Sequence, residues 1–371
     1  MPSLRDKFKG CIAASWIGSA MGAAVECWMP DRIQKEHGFV DRLLPYCHYG
    51  KRTPEPWESP AGTTEDGIER QRLLATAIIE KRGRRVLARD VVATWVRDLS
   101  IEHSIYKQED YDRALIKMAR SGVPAEAIGG MRAVVDNVGP ARSAHPLGLV
   151  NACDPPGAAD EVFEVCQMFF ARTAPTIRWA ALYCAAIAEA CRDGATVDSV
   201  LRVAREYAGY RAEEGEMFSC YDRVAGEVDR ALDIAKRHTE YEALRDEFYR
   251  HYFGGYHVIY GQSQANEVLA KGLALFAFTK GDPKQAILYA VNFGRDTDCL
   301  AAVAGGLAGA LSGWESLPPE WLRQVDEATA ADPHTNNKRT IDETVDGLYG
   351  ALVARLEAKE AHAAEVRALV G

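Results

Sequence analysis

NFGRDTDCLAAVAGGLAGALSG, running from Asn292 to Gly313, sets Asp296 and Asp298 one residue apart at the mouth of a stretch built almost wholly of small residues. The pattern predicts a helix over 298–312 that packs closely on its neighbours, because alanine and glycine keep backbones within touching distance. Two readings of the acids are open. Carboxylates at a helix start accept from free N–H groups and complement the macrodipole. Alternatively, the pair offers hard oxygen ligands to Mg²⁺, Mn²⁺ or Ca²⁺.

Two other stretches repeat the theme. In AGTTEDGIERQRLLATAIIE, Ala61 to Glu80, the run Thr64, Glu65, Asp66 stands before an amphipathic segment with Ile68, Leu74, Ile78 and Ile79 on one side. A helix is expected over 66–81, with Thr64 either its N-cap or an oxygen ligand. Nearer the N-terminus, GSAMGAAVE places Gly18, Ala20 and Gly22 where backbones can approach, and Glu26 ends an otherwise uncharged run. That carboxylate is either solvated at a helix end or aimed into a site.

In this order and at these separations, the three stretches resemble the ADP-ribosylglycohydrolase family. Its members carry a G-D-A-x-G-x-x-x-E stretch, a T-D-D triplet before a helix, and a G-D-T-D-T box. The resemblance implies an all-α, single-domain fold over 1–371 with a central cleft holding two Mg²⁺ ions, Mn²⁺ being an alternative. It carries metal ligation onto Thr64, Glu65, Asp66, Asp296 and Asp298, and onto Cys299, where threonine is usual. Glu26 matches the acid that positions, or takes a proton from, the attacking water, and Glu65 and Asp66 are further catalytic candidates. Four departures bear on the chemistry. Ser19 stands for aspartate, Glu65 is one methylene longer than aspartate, Arg295 replaces glycine, and Cys299 brings a neutral thiol, a poor ligand for a hard cation. The second metal position is therefore expected to be weaker, to rely on water, or to be empty. Arg295 could grip a substrate phosphate or pair with a nearby acid.

The implied reaction is metal-assisted hydrolysis of an N- or O-glycosidic bond to ribose, in ADP-ribosylated protein or an ADP-ribose-like small molecule. Two alternatives stay open: a hydrolase of free nucleosides or nucleotides, and an inactive crystallin-like or binding member. Substrate contacts are sought in GPARSAHPLGLVN, Gly139 to Asn151. There Gly139 and Pro146 fit a family N-G-x-x-M-R-x-x-P segment, and Ser143 falls where arginine is usual. They are also sought in YFGGYHVIYGQSQ, Tyr252 to Gln264, where Gly261, Gln262 and Ser263 either contact a diphosphate or ribose or form a turn capped by Ser263. His257 in the same run has a pKa suited to proton exchange near neutrality. A long irregular connection from Cys27 to Thr63 carries Trp28, Tyr46, His48, Tyr49 and Trp57, which either stack a base or pin the loop.

Composition sets the frame. The chain has 371 residues, 47% hydrophobic and 26% charged, with a formal net charge of -9. It can bury a large core, and the absence of a Lys/Arg cluster argues against nucleic acid or an anionic membrane surface as partner. Nine cysteines without C-x-x-C spacing read as buried thiols in a reducing cytoplasm rather than a zinc cluster. Helical periodicity runs throughout: helices are also expected over 5–25, 88–99, 110–120, 124–136, 159–171, 175–191, 196–208, 218–236, 239–250, 264–279, 283–292, 319–329 and 340–367. The last is charged along much of its length and is expected on the periphery. The uncharged run after Lys9 carries a motif, so it reads as core and not as a signal peptide or membrane span.

Overall fold

The computed structural model describes residues 2–47, 58–100, 102, 107, 110–131, 137–170, 174–211, 220–252 and 263–370. Among them there is no strand, only isolated bridges of Tyr46 with Ser59 and Asn137 with Gln264. In chain order the helices are α1 (Leu4–Gly22), α2 (Pro30–His37), α3 (Asp66–Glu80), α4 (Ala88–Asp98), α5 (Asp110–Arg120) and α6 (Ala125–Ile128). Then come α7 (Gly139–Ser143), α8 (His145–Val150), α9 (Pro155–Val165), α10 (Pro175–Ala190), α11 (Val197–Tyr207) and α12 (Cys220–Arg237). The C-terminal third holds α13 (Tyr241–Tyr252), α14 (Ala265–Phe278), α15 (Pro283–Val291), α16 (Thr297–Ser312), α17 (Pro319–Ala331) and α18 (Ile341–Val370).

The axis of the fold is the antiparallel pair α1 and α16, and small residues decide how it forms. A Cβ on Gly10 would lie 2.3 Å from the carbonyl oxygen of Gly309, one on Gly18 2.5 Å from the carbonyl of Ala301, and one on Gly22 2.5 Å from the Cα of Asp298. The backbones touch along the whole ladder, and no larger residue fits at these rungs. Around it Phe8, Ile12, Trp16, Ile17 and Met21 are fully buried. Each such side chain contributes on the order of 1.5–3 kcal/mol. The segment Leu4–Val25 is apolar and long enough to span a membrane by length and composition, and 89% of its apolar window is buried inside the protein.

The expected all-helical architecture holds, and the three motif helices start near the positions read from the periodicity. Several connections are more ordered than expected. The Cys27 to Thr63 stretch contains α2, led by Pro30, and 139–151 folds into α7 and α8, each with a proline in its first turn. Proline at a helix start gives up no hydrogen bond, so these prolines begin helices where a loop was expected. Helix α9 starts at Pro155, earlier than 159, because the Asp154 side chain accepts from the Gly157 N–H at 3.0 Å and caps it. The expected helix over 124–136 is α6 followed by a 3₁₀ turn, Gly129–Met131. Residues 132–136 lie outside the described residues. Helix α18 buries Ile341, Val345, Leu348 and Leu352, then runs exposed from Leu356 to Val370.

Candidate metal centre

The site lies where α16, α3 and the end of α1 begin or end together. Asp296 is the N-cap residue of α16, yet its side chain makes no capping bond. Both its carboxylate oxygens, and Oδ1 of Asp298, are buried without a hydrogen-bond partner. Carboxylate oxygens stripped of water and left unpaired are costly. Helix capping therefore does not explain the acid at 296. Ligand atoms of Asp296, Asp298 and Cys299 all lie within 4.8 Å of one another. Apart from the thiol the donors of this set are carboxylate oxygens, which fit a hard divalent cation.

The second carboxylate group comes from the start of α3. Glu65, not Thr64, is its N-cap residue, with no side-chain capping bond, and Asp66 is its first residue. Thr64 is fixed through its carbonyl, which accepts from the buried Lys107 Nζ at 2.9 Å, and Lys107 in turn pairs with Asp332 at 2.6 Å. The Glu65 N–H donates to Ser19 Oγ of α1 at 3.3 Å. Ser19, where the family pattern has aspartate, thus holds the triplet against the N-terminal motif.

The α1 terminus is tied to α16 in the same way. Thr297 Oγ1 donates to the Gly22 carbonyl at 2.7 Å. Just beyond, the Cys27 N–H donates to the Arg295 carbonyl at 2.8 Å and the Arg295 N–H to the Trp28 carbonyl at 2.7 Å. Glu26 lies between these ties. Burial, then repulsion from Asp298, Glu65 and Asp296, pushes its carboxyl well above the usual carboxylate range. Burial and Asp296 push Asp298 up likewise, with Arg142 opposing. These causes place the acids of all three motifs in one electrostatic cluster.

Arg142, in α7, binds the two halves together. Its Nη2 donates to Asp66 Oδ2 at 2.8 Å, and its Nη1 lies 2.7 Å from Cys299 Sγ and 3.6 Å from Asp298 Oδ2. Arg70 Nη2 donates to the same Asp66 oxygen at 2.7 Å and its Nε to Asp112 Oδ2 at 3.0 Å. Burial raises the Cys299 thiol well above its ordinary value, against the pull of Arg142. A protonated thiol accepts from the guanidinium and donates to Asp298 Oδ2, 3.6 Å away. Neither arginine was singled out from the sequence. The signal was one residue off: Arg142 precedes Ser143, whose Oγ donates to the Gly139 carbonyl at 2.7 Å within its own turn.

Other candidates are placed as follows. Arg295, held at a φ of 66°, grips Glu267 of α14 bidentately, Nε to Oε1 at 2.7 Å and Nη2 to Oε2 at 2.9 Å, and Lys271 also pairs with Glu267. Of its two expected roles, pairing with an acid is the one the geometry contains. Ser263 is not the cap of α14. The cap residue is Gln264, and Ser263, at a φ of 69°, accepts the Val138 N–H at 2.8 Å through its carbonyl. Gly261, Gln262 and His257 lie outside the described residues, as do His48, Tyr49 and Trp57. Trp28 stacks on His37 with Arg32 over its ring, and Tyr46 donates to the Thr63 carbonyl at 3.1 Å, so both pin their loop.

Comparison with known proteins gives the fold and the family. An uncharacterised protein of Escherichia coli (strain K12), YegU, is 23% identical over 342 residues, 88% of this chain and 94% of that protein. A stretch of 40 residues, 11% of each chain, is 55% identical to the ADP-ribosylarginine hydrolase Tri1 of Pseudomonas putida (strain GB-1). The solved structure of an ADP-ribosylglycohydrolase-related protein complex shares the fold at a TM-score of 0.64 and 18% identity, covering 95% of this chain and all of that one. The ADP-ribosylglycohydrolase family model matches residues 1–359, and the chain therefore belongs to the ADP-ribosylglycohydrolase family, hydrolases that act on glycosyl bonds.

Proposed function

We propose that this protein is a Mg²⁺-dependent hydrolase, with Mn²⁺ an effective substitute, that cleaves a glycosidic bond to ribose in an ADP-ribosylated protein or an ADP-ribose-like molecule. The observation that carries the metal reading is Asp296, whose two buried carboxylate oxygens have no partner. Asp296 and Asp298 would hold the cation directly through their unengaged oxygens, with Thr64, Glu65 and Asp66 completing the ligand set the resemblance implies. When bound, it supplies Lewis acidity toward the ribose hydroxyls and toward water.

The protein's own groups do the rest. Glu26 faces Asp298, Glu65 and Asp296, and is the group proposed to take the proton of the attacking water, with Glu65 as the other candidate. The water oxygen bonds to the anomeric carbon as the bond to the leaving group breaks, the proton taken up by the carboxylate is balanced by one that the departing atom takes from solvent, and the surrounding carboxylates stabilise the positive charge that develops on the sugar. Ser19, Arg70 and Arg142 act as positioning residues: they hold Glu65 and Asp66 in place through the contacts described above.

The test is a panel of ADP-ribosyl-arginine peptide, ADP-ribosylated serine peptide, ADP-ribose and free nucleosides, each with Mg²⁺ and with chelator. Release of ADP-ribose from a modified peptide that needs Mg²⁺ and fails in Asp296→Asn supports the reading. Turnover of free nucleosides alone would redirect the substrate. Metal-independent turnover, or no turnover and no metal binding, would overturn the reading.

A further inference from the structure

We propose that Arg142 is a built-in cation of the carboxylate cluster, so that the centre accepts a single divalent ion, on Asp296 and the Oδ1 edge of Asp298. The inference rests on the metal reading above and concerns how many ions this chain can take. Glu26, Glu65, Asp66, Asp296 and Asp298 form the cluster, and the groups around Asp298 divide into two sets. Asp296 and Asp298 Oδ1 have no partner. Asp66, Asp298 Oδ2 and Cys299 instead converge on the Arg142 guanidinium, at 2.8, 3.6 and 2.7 Å. A second ion would sit roughly 3.5–4 Å from the first and would compete with Arg142 for Asp66 Oδ2, Asp298 Oδ2 and Cys299.

The arginine's place is prepared on three sides. A Cβ on residue 67 would lie 2.9 Å from Arg142 Cδ and 3.2 Å from its Nε, so Gly67, directly after Asp66, leaves the room the side chain uses. The Arg142 carbonyl accepts from Gln71 Nε2 of α3 at 2.8 Å, which fixes the backbone from which the side chain reaches. On the far side Cys299 presents sulfur. A neutral thiol is a poor ligand for a hard divalent cation, and its sulfur, a weak acceptor, lies against the guanidinium Nη1 instead. Gly67, Cys299 and Arg142 together therefore favour a fixed positive charge where oxygen ligands would favour a metal. Unlike an ion, this charge survives chelation.

The experiment counts ions. Metal-free wild-type protein is titrated with Mn²⁺, free Mn²⁺ being read by electron paramagnetic resonance and bound Mn²⁺ by equilibrium dialysis. The wild type should saturate at one ion per chain, and the double variant Arg142→Gln, Cys299→Thr at two. Two ions on the wild type would overturn the proposal while leaving the metal reading intact. A folded double variant that still takes one ion would also overturn it, because something other than Arg142 would then exclude the second. No ion on the wild type would overturn the metal reading itself. If the double variant does not fold, the wild-type count decides alone.

Discussion

A side-chain carbon on Gly22 would lie 2.5 Å from the Cα of Asp298. The end of α1 and the start of α16 are thus in backbone contact at the point where the carboxylates gather, and the ladder that builds the core also sets the spacing of the site. Gly22→Ala meets backbone rather than a movable side chain, so it should cost about 3 kcal/mol or more. It should also weaken Mg²⁺ binding by displacing Glu26. Gly350→Ala is the control: nothing lies within 4 Å of the new carbon, and it should stabilise α18 by roughly 0.5–1 kcal/mol. Urea midpoints of both variants check this; a neutral Gly22→Ala would contradict the ladder.

Neutral His145 should make stability fall with acid. Its ring lies between Gln71 Nε2 at 3.0 Å, the Ala302 carbonyl at 3.1 Å and the Tyr183 hydroxyl at 2.8 Å. Burial depresses its pKa from 6.5 to about 4. The unfolded chain takes up this proton first as pH drops, so the contribution is present in full above about 6.5 and is lost as pH falls toward 4. The loss is about 3 kcal/mol. His145→Gln keeps one donor and one acceptor without the titration. Between pH 6.5 and 4, the wild type should lose about 3 kcal/mol more than this variant, measured by urea unfolding; parallel curves would contradict the assignment.

The role of α18 in stability should end at Arg355. That side chain donates to Glu161 Oε2 at 2.8 Å, to Oε1 at 3.1 Å and to Asn151 Oδ1 at 2.7 Å, all buried. Arg355→Ala leaves Glu161 charged in the core without its cation, held only by the Val86 N–H and the Asn151 amide, at a cost of about 3 kcal/mol. Beyond it the helix is exposed from Leu356 onward. A helix without tertiary packing adds little, so ending the chain after Leu356 should leave the melting temperature within about 1 °C. A large drop on truncation would show that the exposed turns are packed against something.

Neutralising Asp296 should stabilise the metal-free protein. Asp296 is 5% exposed and its charge repels that of Asp298, so Asp296→Asn removes like-charge repulsion. A gain of about 1 kcal/mol is expected with chelator present. Calorimetric melting checks this, and a destabilised variant would mean that the charge is compensated in the folded protein.

Much of this was legible in the sequence, for identifiable reasons. The Gly18, Gly22 and Ala301 rungs could be read because a contact that excludes side chains leaves small residues at helical spacing. The acids could be read because helix starts aim several carboxylates at one place. What stayed hidden depends on tertiary contact. Arg142 looks like an ordinary helix arginine until Gly67 and Cys299 surround it, and Arg295, open to a phosphate or an acid in the sequence, has its acid named only when Glu267, on another helix, meets it. Helices α7 and α8 have five and six residues, too short to show a period, and their prolines read equally well as loop markers. Ser263 was a plausible cap by residue type, but its φ of 69° turns the chain there.

The most direct measurement is isothermal titration of Mg²⁺ into metal-free wild-type and Asp296→Asn protein. The carboxylate cluster built on Asp296 requires saturable binding in the wild type and none in the variant, with both showing the same far-ultraviolet helical signal. Equal binding by a folded Asp296→Asn variant would place the metal elsewhere and contradict the site.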